Sequence, residues 1–170
     1  MKLTFVSLIS LLAVGAIAFS LTVSADRDRS HATAVDRHIE QQATSWGGAE
    51  ARKLRQFGEA DLDRDGKPEI AVLYGLSCGN DTVMFLAVFD KMYMGSWQLV
   101  NQVYLGGRGL RHIDEFVVEP EAIRIHAREF QGAEPMCAPS REVVITVTVT
   151  HGLLQISRVE AQGSAKTWIE

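Results

Sequence analysis

The chain has 170 residues, 46% of them hydrophobic, with 17 Lys and Arg against 21 Asp and Glu for a net charge of −4. That length suits one domain whose core needs neither metal nor disulfide to form. A mildly acidic balance does not suit phosphate backbones, whose binding rests on clustered Lys and Arg, so no nucleic-acid partner is expected.

Residues 1–25 have the pattern of a signal peptide: Lys2, an almost uninterrupted apolar run over Leu3–Val23, and the small-x-small site Val23-Ser24-Ala25 before the polar "DRDRS". The apolar run is also close to spanning length, so a retained anchor is the alternative. The cleavage pattern favours export to the periplasm or the medium, with no membrane contact after cleavage. Loss of Lys2 takes the net charge from −4 to −5. Residues 26–33 are polar and predict a flexible lead-in, and 34–170 a single domain.

Over Ala34–Trp46, Val35, Ile39, Gln42 and Trp46 recur at helical spacing while Asp36, Arg37 and Glu40 face outward, predicting a short amphipathic helix. Gly47 and Gly48 end it, because glycine accepts the left-handed conformation of a helix C-terminus. The period then changes to two. "KLRQFGEADL" alternates weakly, and "EIAVLYG" and "TVMFLAVF" are apolar on both faces, as strands covered on both sides are. "SWQLVNQVYLG" places Trp97, Leu99, Val103 and Leu105 on one side. "RHIDEFVVEP" and "AIRIHAREF" meet at a proline-containing hairpin connection. In "REVVITVTVTHG", Val143, Ile145, Val147 and Val149 face in and the threonines face out, and "LLQIS" returns after His151-Gly152. Short connections leave no room for crossover helices, so the strands are expected to be antiparallel. The predicted class is α+β: an N-terminal helix, then a meander of about seven to eight strands curled into a sandwich or partial barrel.

The chemistry concentrates in "EADLDRDGKPEIAVLY", Glu59–Tyr74. Asp61, Asp63 and Asp65 alternate, and alternate side chains in a tight loop converge, so three carboxylates can meet one hard cation. Gly66 permits the sharp turn and the Lys67 carbonyl can add an oxygen. Val72 stands where an EF-hand carries its bidentate glutamate, and no helix flanks the loop, which excludes that motif. The stretch resembles the D-x-D-x-D-G-x-x-[DE] loop of the FG-GAP/VCBS type, with Glu69 in place of the commoner aspartate. The resemblance implies a structural calcium ion held by Asp61, Asp63, Asp65 and Glu69 through side chains and by Lys67 through its carbonyl. The motif occurs once, which argues against a propeller. More widely, "VLY", "VYLGGRG" and "EPMCAPS" follow it in an order similar to a group of exported bacterial domains of unassigned activity. The alternative for the loop is a metal-free turn, which Asp and Gly also favour.

Cys78 and Cys137 are the two cysteines. In an oxidising compartment an even count predicts a bridge, which would close a loop of about sixty residues and stabilise by about 4 kcal/mol on the chain-entropy model. Two free thiols are the alternative. "GLSCG", Gly75–Gly79, fits the G-x-S-x-G of a serine nucleophile, but that elbow must open a helix and "NDTVMFLAVF" predicts a strand. "LGGRG" lacks the Lys-Ser/Thr of a phosphate loop. Arg124, His126 and Arg128 share the outer face of one strand and form a candidate partner surface for an acidic protein or glycan; a solvated face is the plainer reading. These features predict a non-enzymatic exported module that binds a partner or supports an envelope assembly. The alternatives are an inhibitor-like module against an envelope or extracellular enzyme, and a small serine hydrolase using Ser77.

Overall fold

The computed structural model describes residues 31–107, 111–132, 134–135 and 139–160, with side chains to 157. Helix α1 covers 31–46, and so begins inside the stretch read as a lead-in. Gly47, at φ 65°, closes it, and Gly48 N–H donates to the Ala43 carbonyl at 2.9 Å. The strands are β1 (Ala49–Glu50), β2 (Gln56–Ala60), β3 (Glu69–Cys78), β4 (Asp81–Lys91), β5 (Trp97–Gly107), β6 (Arg111–Glu119), β7 (Ala122–Glu129), β8 (Arg141–Thr150) and β9 (Leu153–Glu160).

All the strand pairs are antiparallel, but they form two sheets. In the first, β1 and β2 both pair with β3, at opposite ends, and β4 and β5 follow; the second runs β6-β7-β8-β9. The expected α+β class with one curled meander is therefore corrected. The described residues form a mainly β structure of nine strands in two sheets, with one α-helix, a single 3-10 turn at Arg52–Leu54 and no closed barrel. The extra strand is β1, whose two residues carry no readable period. The sheet break falls between Gly107 and Arg111, where a glycine-rich connection looks like any hairpin loop.

Two apolar layers result. Val35 and Ile39 of α1 pack on Ile70, Val72, Tyr74 and Leu76 of β3 and on Phe85, Ala87 and Phe89 of β4. The opposite faces, Ala71, Leu73, Leu86 and Val88, pack on Ile123, Ile125, Ile145 and Val147 of the second sheet. Both faces of β3 and β4 are thus covered, which is why their sequences are continuously apolar. Where β2 meets β6, a Cβ on Gly58 would overlap the Val118 side chain, so a glycine sets how closely they approach.

β5 departs from simple alternation. Phe89 pairs with Leu99 and Val88 with Asn101, leaving Val100 as an extra residue. Such a bulge moves the side chains that follow it to the other face, as far as a second bulge at Leu105. Trp97 and Leu99 therefore face α1, while Val103 and Leu105 face the second sheet; they do not share a side as expected. The same shift turns Gln102 under the helix. Its Oε1 lies 2.8 Å from His38 Nε2 and accepts from the Tyr74 hydroxyl at 3.0 Å. Burial pushes the Tyr74 pKa up and the His38 pKa down.

Candidate metal centre

Residues 61–68 join β2 to β3, with Ala60 opposite Glu69 in the ladder. Three anchors shape this loop. Leu62, 2% exposed, fills the layer between the sheets. The Asp61 carbonyl accepts from Glu121 N–H at 2.9 Å, and Arg64 pairs with the Glu121 carboxylate in the β6–β7 turn. Gly66 has φ 84°, and Arg64 holds φ 68°, a left-handed conformation that costs a side-chain-bearing residue energy.

With Leu62 turned inward and Arg64 outward, Asp61, Asp63 and Asp65 point to a common centre. One oxygen from each lies within 4.8 Å of the others, a cluster that could hold a metal ion. Oxygens of the same three carboxylates also brace the loop. Gly66 N–H donates to Asp61 Oδ2 at 3.1 Å, Asp65 N–H to Asp63 Oδ1 at 3.0 Å, and Lys67 N–H to Asp65 Oδ1 at 2.7 Å. Lys67 Nζ lies 3.0 Å from Asp65 Oδ2, and this contact holds the Asp65 carboxyl below its usual range and raises the Lys67 ammonium.

Glu69 is not one of these three converging carboxylates. It is 1% exposed, and its Oε2 accepts from Leu62 N–H, inside the loop, at 2.6 Å. Its Oε1 is buried and meets no hydrogen-bond donor among the described residues, and the same holds for Asp61 Oδ1 and Asp90 Oδ1. Burial raises the Glu69 pKa, opposed by the Leu62 N–H and reinforced by the charges of Asp63, Asp90 and Asp65. A buried carboxylate oxygen without a donor is costly.

The other candidate residues lie elsewhere. Ser77 sits within β3, opposite Thr82, and the chain turns into β4 rather than a helix, so the elbow a serine nucleophile needs is not formed there. Cys78 is half-buried with Sγ 3.9 Å from the Leu76 carbonyl; Cys137 and the leader 1–25 fall outside the described residues. Arg124, His126 and Arg128 do share one face of β7, but each faces a carboxylate of β6. Arg128 is bidentate to Asp114 at 2.6 and 2.9 Å, Arg124 lies 3.1 Å from Glu119, and His126 lies 4.0 Å from Glu115. That stripe carries no net positive charge. Nothing in the sequence singles out Asp90, which follows an apolar run; only the β3–β4 register, Ile70 opposite Phe89, brings it beside Glu69.

No protein-family model matches the chain, no characterised protein matches its sequence, and no solved structure matches its fold. Among the described residues, no helix is long and apolar enough to cross a membrane.

Proposed function

We propose that residues 61–69 bind one calcium ion and that the ion has a structural role, fixing the β2–β3 connection of an exported, non-enzymatic domain. The observation that carries this reading is Glu69, fully buried with one oxygen on the loop backbone and the other without a partner among the described residues. Asp61, Asp63, Asp65, Glu69 and the Lys67 carbonyl offer five oxygens, and water would complete the six to eight that calcium takes. An all-oxygen, carboxylate-rich set favours a hard cation over zinc, which takes nitrogen and sulfur. Magnesium demands tighter octahedral geometry than a loop of alternating side chains readily provides.

A structural role follows from where the ligands are attached. Asp61 continues β2, Glu69 begins β3, and Leu62 between them is core; one ion would hold both strand ends in register. The signal-peptide pattern supports a periplasmic or secreted location, where millimolar calcium suits modules with dissociation constants of about 0.1 to 1 mM. A docking function, with a protein or glycan as partner, is supported by the β4–β5 turn, where Tyr93 and Met94 are 104% and 92% exposed.

The test is thermal melting in calcium and in chelator. At about 100 times the dissociation constant, an ion stabilises by about 2.7 kcal/mol, which for a domain of this size raises the melting temperature by roughly 5–10 °C. Asp63→Ala should abolish the difference. Wild-type melts that coincide in calcium and chelator refute the proposal.

A further inference from the structure

We propose that the cleft at the edge of the interlayer core binds a small amphipathic carboxylate, with its apolar chain inward and its head group at Arg111. The cleft lies where β5 ends and β6 begins, and it shares no residue with the 61–69 loop. Leu73 of β3 and Met84 of β4 line it from the first sheet, and Ile113 of β6 from the second. Leu54 of the 3-10 turn completes the apolar lining. The volume is about 300 Å³, at the lower end of small-molecule sites. At about 30 Å³ per heavy atom, the share of a water molecule in the liquid, it holds about ten atoms, the size of octanoate.

Glycines and bulges shape its walls. A Cβ on Gly75 would come within 3.0 Å of Leu54 Cδ1 and Met84 Sδ and 3.2 Å of Thr82 Cγ2, so a side chain there would displace lining residues. A Cβ on Gly107 would lie 3.0 Å from the Thr82 carbonyl oxygen. Glycine inside a strand marks the close approach of a backbone or a ligand. The β5 bulge at Leu105 and the β6 bulge at Asp114 lie by the same strand ends, and bulges re-aim side chains next to functional sites. The polar end is cationic: no Asp or Glu is among the residues lining the cleft. Arg111 is half-buried, its Nε and Nη2 donate to Glu129, and its Nη1 donates to the Leu105 carbonyl. A guanidinium has five N–H groups, so two remain for a head group, and a carboxylate offers two oxygens to such a pair. The contacts to Glu129 and Leu105 fix the guanidinium before a ligand arrives, which lowers the ordering cost of binding.

The experiment is titration of the full chain with sodium octanoate, and with octanamide as its neutral counterpart, followed by amide proton–nitrogen correlation spectra. In wild type, octanoate should shift the amides of Leu54, Leu73, Met84 and Ile113 saturably, with a dissociation constant on the order of 1 mM or tighter. Octanamide should bind about tenfold more weakly, because it forgoes the charge-assisted hydrogen bonds. Thr82→Phe, which places a ring in the cleft at a strand position that accepts aromatics, should lose octanoate binding while its melt shows a folded chain. Arg111→Gln should weaken octanoate and leave octanamide unchanged. The two wild-type titrations decide the question even where a variant fails to fold. Absence of saturable shifts at those residues up to about 10 mM octanoate overturns the proposal. Octanamide that binds within about twofold of octanoate overturns it as well, and so does a folded Thr82→Phe chain that binds octanoate as wild type does.

Discussion

Replacing Glu69 separates its two duties, accepting a backbone hydrogen bond and carrying a charge. Its Oε2 accepts from Leu62 N–H at 2.6 Å in a site that is 1% exposed. Glu69→Ala leaves that N–H without its acceptor, at a cost of about 1–3 kcal/mol. It also removes a buried methylene, worth about 0.8 kcal/mol. Together these predict a loss of roughly 2–4 kcal/mol, or about 5–12 °C in melting temperature for a domain of this size. Glu69→Gln keeps the stem and an acceptor while removing a charge that burial and three neighbouring carboxylates disfavour. In chelator the Gln chain should therefore melt within about 2 °C of wild type or above it. In calcium it should gain less than wild type does. Circular-dichroism melts of the three chains under both conditions read all of this. A Gln chain as unstable as the Ala chain in chelator would refute the reasoning, because the charge rather than the hydrogen bond would then be holding the loop.

Two further outcomes test the layers around the site. Gly58→Ala should destabilise by about 1–3 kcal/mol, as overpacking does, and Val118→Ala, which removes the obstructing methyls, should recover part of that loss in a double variant; urea titration measures both. His38 supplies a pH dependence: burial holds its pKa below 6.5, against the raising effect of the Gln102 hydrogen bond. The folded chain then binds fewer protons at this site than the unfolded one, so the stability His38 contributes is full above pH 6.5 and is lost as pH falls through its folded value. Urea midpoints should fall between pH 7.5 and pH 5.5 more steeply in wild type than in His38→Gln, and parallel slopes would contradict this.

Much of the local structure can be read from single stretches of sequence. Gly47 marks the helix end because a left-handed residue is needed there, and Glu119-Pro120-Glu121 marks the β6–β7 turn, with Glu121 at φ 70°. The alternation of Val143, Ile145, Val147 and Val149 survives as the inward face of β8. The division into two sheets could not be read, because which strands pair is decided by contacts far apart in sequence. The facing of β5 was lost for a smaller reason: one bulge at Val100 moves Val103 and Leu105 across the sheet, and no periodicity announces it.

The candidate site divides the same way. The alternation Asp61, Asp63, Asp65 and the glycine after it lie on the surface of the sequence. The burial of Glu69 depends on Leu62 entering the core, and the approach of Asp90 depends on a ladder register; neither leaves a local mark. The cationic stripe on β7 illustrates the converse. Arg124, His126 and Arg128 look like an electropositive face until β6 places Glu119, Glu115 and Asp114 against them.

The most direct measurement is calcium titration into the chelator-stripped chain by calorimetry, alongside Asp63→Ala. One bound ion per chain, lost in the variant, is the result predicted from the converging carboxylates and the unpartnered Glu69 oxygen. No binding heat from wild type at millimolar calcium, with melts unchanged by chelator, would contradict it.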